Sequence, residues 1–223
     1  ADAVAEAMNG GDVSDLILIH GGGSFGHHQA NEAGVTTTAG TADAADAVAI
    51  HGAMKTLNQF VLSRLHERDV PALPVHPLSV AVRDANADLT LPLEPTRTML
   101  AEGFVPVLHG DVVAEAEAGA TIISGDELVT RLATGLSADR VGLCSTVPGV
   151  YDDDGAVIPR ISGFAQVDAV LGGSESTDVT GGMAEKVRAL LALDSPAQIF
   201  GPESLPAFLA GESAGTVVDG GAE

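Results

Sequence analysis

The stretch LILIHGGGSFGHHQA, residues Leu16–Ala30, decides how the rest of the chain is interpreted. A short apolar run ends in three glycines, and two adjacent histidines follow four residues later. Glycine lets the backbone approach an anion closely, and the N-terminus of a following helix offers free N–H groups and a positive dipole end. The stretch therefore predicts a strand, a glycine turn and a helix. Its candidate phosphate-binding residues are Gly21, Gly22, Gly23 and Gly26.

Strand-like and helix-like segments alternate on both sides of this stretch. The strand-like runs read LILIH, PALPVH, FVPVLHG, TIIS, RVGLCS and AQIFG, and a long Ala-rich helical segment covers about residues 41–68. Such alternation favours an α/β fold in which helices cover both faces of a mainly parallel sheet, giving a three-layer αβα sandwich. We expect one domain over residues 1–223.

The charge balance excludes some partners. The 223 residues include 31 acidic and 10 basic side chains, for a net charge of -21. Nucleic acids and anionic membranes bind basic surfaces, so neither is an expected partner. Because Lys55 and Lys186 are the two lysines of the chain, we interpret the acidic surface as adaptation to high salt. An ordinary acidic cytosolic protein is the alternative.

Other features of the sequence point to the cytoplasm. A single cysteine, Cys144, excludes an internal disulfide and favours a reducing compartment. No apolar run approaches the roughly 20 residues that span a bilayer, and the first residues do not resemble a signal peptide. Neither H-E-x-x-H nor a Cys-His cluster is present, so no metal ligands are predicted.

The glycine loop alone admits three interpretations: a phosphate-binding loop, a dinucleotide site or a tight turn. Its spacing also satisfies G-x-G-x-x-G, and Asp43 and Asp46 follow about 20 residues later, as in a dinucleotide site. The glycines could instead serve only a tight turn. A P-loop is excluded, because G-x-x-x-x-G-K-[ST] does not occur in the chain.

Two further segments favour a phosphate-transfer site. In TDVTGGMAEKVRALLAL, Gly181 and Gly182 open a predicted helix and Lys186 follows one turn later, where its ammonium group can reach the same anion as the helix N–H groups. In ISGDELVT, Gly125 and Asp126 directly follow an apolar strand. Ligands bind at the carboxyl ends of strands in open α/β sheets, so these junctions predict a cleft for two substrates.

The runs IHGGGSFGHHQA, VLHGDVV, IISGDELV, STVPGVYDDDG and TGGMAEKV, taken together, resemble the amino acid kinase superfamily, most closely its isopentenyl phosphate kinases. The resemblance implies an αβα sandwich that transfers the γ-phosphoryl group of Mg-ATP to the phosphate of isopentenyl phosphate. It also implies a homodimer that pairs through the helix after the glycine loop. Members usually begin with a K-L-G-G-S strand, and none precedes Ala1. We therefore expect that the chain is truncated at its N-terminus.

The resemblance assigns roles to residues of both predicted sites. Gly22 and His27 should hold the acceptor phosphate and Gly23 the transferring phosphate, Gly125 should close the acceptor site, and Asp126 should orient the basic groups. His27, Asp126 and Lys186 are the implied catalytic residues.

The implied ATP-binding residues lie mostly in the second half of the chain: Gly23, Thr146, Gly149, Tyr151, Gly182 and Lys186. Ser145–Thr146 departs from the Thr-Asp that many relatives carry there. Because a phosphate monoester is largely dianionic near pH 7, the reaction needs no general base.

Several alternatives remain open from the sequence. A fosfomycin-type phosphonate kinase would use the same glycine loop, and a non-catalytic nucleotide- or anion-binding protein could share the fold. NAD-linked oxidoreduction is a further possibility. The six histidines other than His27 are interpreted as solvated or packed residues.

Overall fold

The computed structural model describes residues 1–11, 13–171 and 182–221. The chain forms two compact units: unit 1 comprises residues 1–5 and 14–128, and unit 2 comprises residues 6–13 and 129–223. The expectation that residues 1–223 form one domain stays a prediction. The chain begins with helix α1 (Asp2–Gly10).

Most of the described strands lie in unit 1. In chain order its elements are β1 (Leu18–His20), α2 (Gly23–Ala33), α3 (Ala44–His66), β2 (Ala72–Pro74), α4 (Pro77–Val80), β3 (Val82–Arg83), β4 (Leu89–Thr90), α5 (Glu94–Ala101), β5 (Val105–His109), β6 (Asp111–Glu115), β7 (Gly119–Ile123) and the start of α6 (Gly125–Leu136). One sheet has the order β1-β5-β2 and is parallel throughout, and the other has the order β4-β3-β6-β7.

The sequence explains the parallel sheet of unit 1. All five residues of β5 are buried, as an apolar central strand of a parallel sheet requires. In its pairing with β1, His20 lies opposite His109. Asp43 caps α3 by accepting a hydrogen bond from the N–H of Ala45 at 2.8 Å. The cap fixes where α3 starts.

Unit 2 has its own sheet and core. Its elements after α6 are β8 (Val141–Cys144), β9 (Arg160–Ile161), α7 (Asp168–Leu171), α8 (Gly182–Leu191), β10 (Ala197–Phe200), α9 (Leu205–Leu209) and β11 (Thr216–Val218). The strand order is β8-β10-β11-β9, and β10 pairs with β8 in parallel and with β11 antiparallel. Val187 and Leu190 of α8 lie in the buried core with Ile199 of β10.

The predicted α/β class with mainly parallel strands is confirmed, and each of the six strand-like runs contains a strand. The second sheet of unit 1 is not predicted, because β3 and β4 are two residues long and carry no apolar run. Among the described residues, no helix is both long and apolar enough to cross a bilayer.

Candidate active site

The glycine loop after β1 places His27 against Gly22. Gly22 caps α2, and the N–H of Gly26 donates to the Gly22 carbonyl at 2.9 Å, which begins the helix. Gly23 has φ +49°, a left-handed conformation that favours glycine. A methyl group built on Gly22 would lie 3.2 Å from Cδ2 of His27. The structure thus brings together the predicted residues Gly22, Gly23 and His27.

The two neighbouring histidines differ in their surroundings. His27 is half-buried, whereas His28 is exposed and lies 3.6 Å from the Glu32 carboxylate, one turn along α2. This arrangement follows from the roughly 100° between successive helix residues. One histidine therefore faces the loop and the other faces solvent.

A second glycine junction lies beside the first. Gly125 opens α6 directly after β7, and a methyl group built on it would lie 3.8 Å from the Cα of Gly21. A methyl group built on Gly110, which follows β5, would lie 3.6 Å from the backbone N atom of Gly125. The carboxyl ends of three strands therefore meet at glycines. Asp126, half-buried, follows on the first turn of α6.

Buried ionic contacts anchor the first turn of α6. The N–H of Glu127 donates to Oγ of Ser124 at 3.1 Å, which caps the helix. The Glu127 carboxylate accepts two hydrogen bonds of 2.6 Å from the Arg83 guanidinium, whose Nε also lies 3.7 Å from Glu115. The hydrogen bond that Arg83 donates to Glu127 raises the pKa of Arg83 above its usual range. The Arg83 side chain is 7% exposed and that of Glu127 is 30% exposed, so the guanidinium is shielded from water more than the carboxylate.

Four of the histidines interpreted as solvated or packed residues form one packed cluster. His20 and His109 end β1 and β5, His76 follows β2, and His51 comes from α3. Nδ1 of His76 lies 2.8 Å from Nε2 of His109, and Nδ1 of His51 lies 2.9 Å from the Asp111 carboxylate. The cluster was missed because parallel pairing brings together strand ends that are far apart in sequence.

Burial keeps the centre of this cluster neutral. His109 is fully buried, and burial lowers its pKa to about 4. Burial, followed by the neighbouring His51, also lowers the pKa of His76. In the described part of the chain, no three His, Cys, Asp or Glu side chains are arranged to hold a metal ion. The cluster is held by the hydrogen bond between His76 and His109 and by the contact of His51 with the Asp111 carboxylate.

The acidic residues of the dinucleotide interpretation have other functions. Asp43 caps α3, and the Asp46 carboxylate accepts a hydrogen bond from the Thr41 hydroxyl at 3.2 Å. Both lie at the start of a helix, whereas a ribose-binding acid would be expected at the end of a strand. The loop therefore lacks the second part of a dinucleotide site at these positions.

Unit 2 places the predicted nucleotide residues after β8. Thr146 is exposed and Gly149 is buried against the side chains of Val157 and Thr216, so that no larger residue fits there. Tyr151 is 39% exposed and pairs with Val157 across a turn that contains Gly155 at φ +79°. The YDDDG segment therefore forms a tight hairpin-like turn.

The second anion-binding element of the sequence lies on α8. Gly182 has φ +66° and opens the helix, and the half-buried Lys186 follows one turn later. Gly181, the other predicted glycine of this element, lies outside the described residues. The predicted residues of unit 2 thus lie on two segments, the loop after β8 and the first turns of α8.

Comparison with known proteins links the two units to one family. A sequence profile of the amino acid kinase family matches residues 1–194. Isopentenyl phosphate kinase of Haloferax volcanii is 63% identical over 220 residues, which cover 99% of this chain and 88% of that protein. The enzyme of the same name from Methanocaldococcus jannaschii is 36% identical over 183 residues, 77% of this chain and 67% of that protein.

Solved structures give the same result for the fold. A crystal structure of isopentenyl phosphate kinase superposes with a TM-score of 0.77 and 25% sequence identity, over 96% of this chain and 88% of the other. The product complex of the Thermoplasma acidophilum enzyme superposes with a TM-score of 0.72 at 21% identity.

Proposed function

The chain belongs to the amino acid kinase family, and from that premise we propose that it phosphorylates isopentenyl phosphate. The γ-phosphoryl group of ATP is transferred to the phosphate of the acceptor, which gives isopentenyl diphosphate and ADP. The proposal is supported by 63% identity to the Haloferax volcanii isopentenyl phosphate kinase over nearly the whole chain.

The convergence of the glycine junctions in unit 1 carries the proposal. Gly22 lies against His27, and Gly125 lies against Gly21. Two helix N-termini, of α2 and α6, begin at these glycines, and such N-termini favour a phosphate dianion. We therefore assign the acceptor phosphate to Gly22, His27 and Gly125, and the transferring phosphate to Gly23.

The chemistry requires charge neutralisation more than proton transfer. A phosphate monoester whose second pKa is near 6 is a dianion at pH 7, and it attacks without a general base. The barrier arises from repulsion between the acceptor and the triphosphate. N–H groups and the His27 ring reduce that repulsion at the acceptor. Asp126 is assigned to orienting the basic groups.

We assign ATP to residues of unit 2. Gly182 and Lys186 would bind its phosphates, and Thr146, Gly149 and Tyr151 would line the nucleotide pocket. With 10 basic residues against 31 acidic ones, the chain offers few cations to a triphosphate. Mg²⁺ is therefore proposed as the counter-ion that arrives with ATP.

A direct assay tests the function. The purified chain, with any N-terminal residues of its full coding sequence, is incubated with ATP, Mg²⁺ and isopentenyl phosphate in molar salt. We expect isopentenyl diphosphate and an equal amount of ADP. Phosphorylation of fosfomycin without a diphosphate product would contradict the acceptor assignment. Tight binding of ATP with no transfer to either acceptor would contradict the kinase activity itself.

A homodimer is proposed on the α2 and α3 surface of unit 1. Phe25 is 41% exposed and Phe60 is 57% exposed, and their rings meet edge to face with centroids 6.3 Å apart. Exposed aromatic residues that adjoin one another are typical of protein interfaces. Phe60→Glu should convert a dimer to a monomer in size-exclusion chromatography with light scattering. A wild-type protein that elutes as a monomer would contradict this proposal.

We also propose a cytoplasmic enzyme adapted to high salt. Its ATP requirement fits the cytoplasm, and its net charge of -21 implies self-repulsion that salt reduces. The Debye length falls from about 10 Å at 0.1 M salt to about 3 Å at 1 M. The melting temperature should therefore rise between these two conditions, and an unchanged value would contradict the adaptation.

A further inference from the structure

Two identical hydrogen bonds join a histidine to the glycine that follows it, on adjacent strands. Nδ1 of His20 lies 3.1 Å from the Gly21 carbonyl oxygen, and Nδ1 of His109 lies 2.9 Å from the Gly110 carbonyl oxygen. The two histidines are opposite each other in the β1–β5 register, with ring centroids 5.6 Å apart. A carbonyl oxygen only accepts, so Nδ1 carries the proton in both bonds.

The bond at Gly21 determines where a neighbouring N–H group points. The Gly21 carbonyl and the Gly22 N–H belong to one planar trans peptide, so the two groups point in opposite directions. Glycine on both sides would otherwise allow this peptide to rotate. By holding the carbonyl, His20 fixes the direction of the Gly22 N–H. Gly22 is the residue that the proposed function assigns to the acceptor phosphate.

The proton on Nδ1 must itself be maintained by a partner on the other ring nitrogen. A neutral ring that donates at Nδ1 accepts at Nε2. For His109, Nε2 accepts from Nδ1 of His76 at 2.8 Å. The two rings therefore hold each other in one tautomer.

Asn58 is the corresponding partner of His20. Its amide is 1% exposed, its Oδ1 lies 3.1 Å from Nε2 of His20, and its Nδ2 is buried without a hydrogen-bond partner among the described residues. The oxygen and nitrogen of an amide have nearly the same shape, and a half-turn exchanges them. That half-turn places Nδ2 on Nε2 of His20, so that the amide donates to the ring nitrogen that carries no proton.

We propose that His20 is a positioning residue of the acceptor site: its Nδ1–H, maintained by Asn58, directs the Gly22 N–H toward the acceptor phosphate. This inference rests on the proposed function. His20 acts through the backbone, unlike His27, which is assigned to the phosphate itself. His109 and His76 form a similar arrangement at the end of β5, and the His109 ring lies beside that of His20.

Three substitutions at His20 separate positioning from packing. Asn carries an N–H group at the position of Nδ1, Gln carries one at the position of Nε2, and Leu carries neither. His20→Leu and His20→Gln should raise the KM for isopentenyl phosphate by about tenfold or more, with the KM for ATP within about twofold. His20→Asn should stay within about threefold of wild type. Equal KM values for the Asn and Leu variants would overturn the proposal.

His66→Leu is the matched control. Nε2 of His66 also lies 2.8 Å from a carbonyl oxygen, that of Ala72, but His66 ends α3 and this bond leads to β2 instead of the glycine loop. Its loss should leave both KM values unchanged. If His66→Leu raises the KM for isopentenyl phosphate as much as His20→Leu, the effect is general loosening and the proposal is wrong.

Ring nitrogen chemical shifts test the inference without turnover. In a ¹⁵N-labelled wild-type chain without ligands, two-bond ¹⁵N–¹H spectra should assign the proton of His20 to Nδ1, and Asn58→Leu should redistribute it toward Nε2. An Nε2–H ring in the wild type would overturn the inference even if the enzyme is fully active. A wild-type chain that fails to phosphorylate isopentenyl phosphate, yet has the Nδ1–H ring, would instead contradict only the proposed function.

Discussion

All seven histidines of the chain lie in unit 1, whereas Lys186 lies in unit 2. Both units place a helix after a glycine junction, but they stabilise it differently. In unit 1 the junctions contact a buried histidine cluster and a buried Arg83–Glu127 pair. In unit 2, α8 opens at Gly182, and its residues Val187 and Leu190 pack in an apolar core.

The difference shows two ways of preparing an anion site. Buried polar partners hold a peptide in one orientation. Removing one of them leaves the other buried without a hydrogen bond or counter-charge, and this lowers the stability of the folded state. A lysine in the first turns of a helix adds a compact positive charge next to the helix N–H groups. Removal of a buried partner in unit 1 should therefore affect stability, whereas loss of Lys186 should act mainly on ATP binding or transfer.

Arg83→Leu should cause the largest change. It leaves the carboxylates of Glu127 and Glu115 in a mostly buried environment without their cation, and breaking such pairs costs about 3–5 kcal/mol. Urea denaturation would measure this loss. Arg64→Leu is the control, because Arg64 pairs with Glu67 at 2.8 Å on the surface with 72% of its side chain exposed, where a pair contributes at most about 1 kcal/mol. Similar losses from both variants would contradict the importance of burial.

Acid should destabilise unit 1 through its histidine cluster. The unfolded chain takes up a proton at His109 near its ordinary pKa of 6.5, while the buried ring stays neutral down to about 4. The unfolded state therefore binds more protons between these values, and stability falls as the pH is lowered through them. The full effect is roughly 3 kcal/mol at about 1.4 kcal/mol per pH unit. The lowered pKa of His76 acts in the same direction.

Urea denaturation between pH 7 and pH 4.5 measures this dependence. His109→Asn keeps a hydrogen-bond donor but does not titrate, so its stability should fall less steeply with acid than that of the wild type. Parallel pH profiles for the two chains would show that His109 does not contribute to the acid sensitivity.

His27→Ala should slow the reaction without a comparable loss of stability. A hydrogen bond to a charged group contributes about 1.5–3 kcal/mol, which corresponds to about 10- to 150-fold in rate if it is fully expressed in the transition state. His28→Ala is the matched control on the exposed side of the same helix turn. Steady-state kinetics with isopentenyl phosphate distinguishes them, and equal, mild effects would remove His27 from the site.

Lys186→Ala should have the smallest and most selective effect. The first turn of α8 would keep its N–H groups, so we expect a loss of about 1–3 kcal/mol in ATP binding or transfer. Lys186→Arg should restore only part of it, because a planar guanidinium does not replace a compact ammonium group. Calorimetric titration with ATP measures the change. A lower melting temperature with unchanged ATP affinity would make Lys186 a structural residue.

The sequence predicts the strands and the glycine turns because these depend on local patterns. The LILIHGGG run is strand and turn in the structure, and α8 begins within TGGMAEKV as expected. The convergence of Gly125 on Gly21 was predictable from the rule for strand ends in α/β sheets. The strands and turns require no knowledge of which distant residues meet, and the rule for strand ends supplies the approach of Gly125 to Gly21.

The missed features all depend on distant contacts. His76 and His109 are 33 residues apart, and Arg83 and Glu127 are 44 apart. Nothing in a short window marks Arg83, in a two-residue strand, as the partner of a helix start. The HG dipeptides at residues 20–21 and 109–110 were a usable signal, since the same pair ends two predicted parallel strands.

The register that places His20 opposite His109 also determines which insertions the chain can tolerate. Successive strand residues point to opposite faces of a sheet. One extra residue within β1 would turn His20 away from His109 and separate it from Asn58. Extra residues after Gly34, where α2 has ended, would leave the β1–β5 register unchanged but would disturb the Thr36–Ile122 hydrogen bond and the Thr41–Ala120 bridge to β7. Among homologous chains we expect a constant spacing between β1 and the glycine loop.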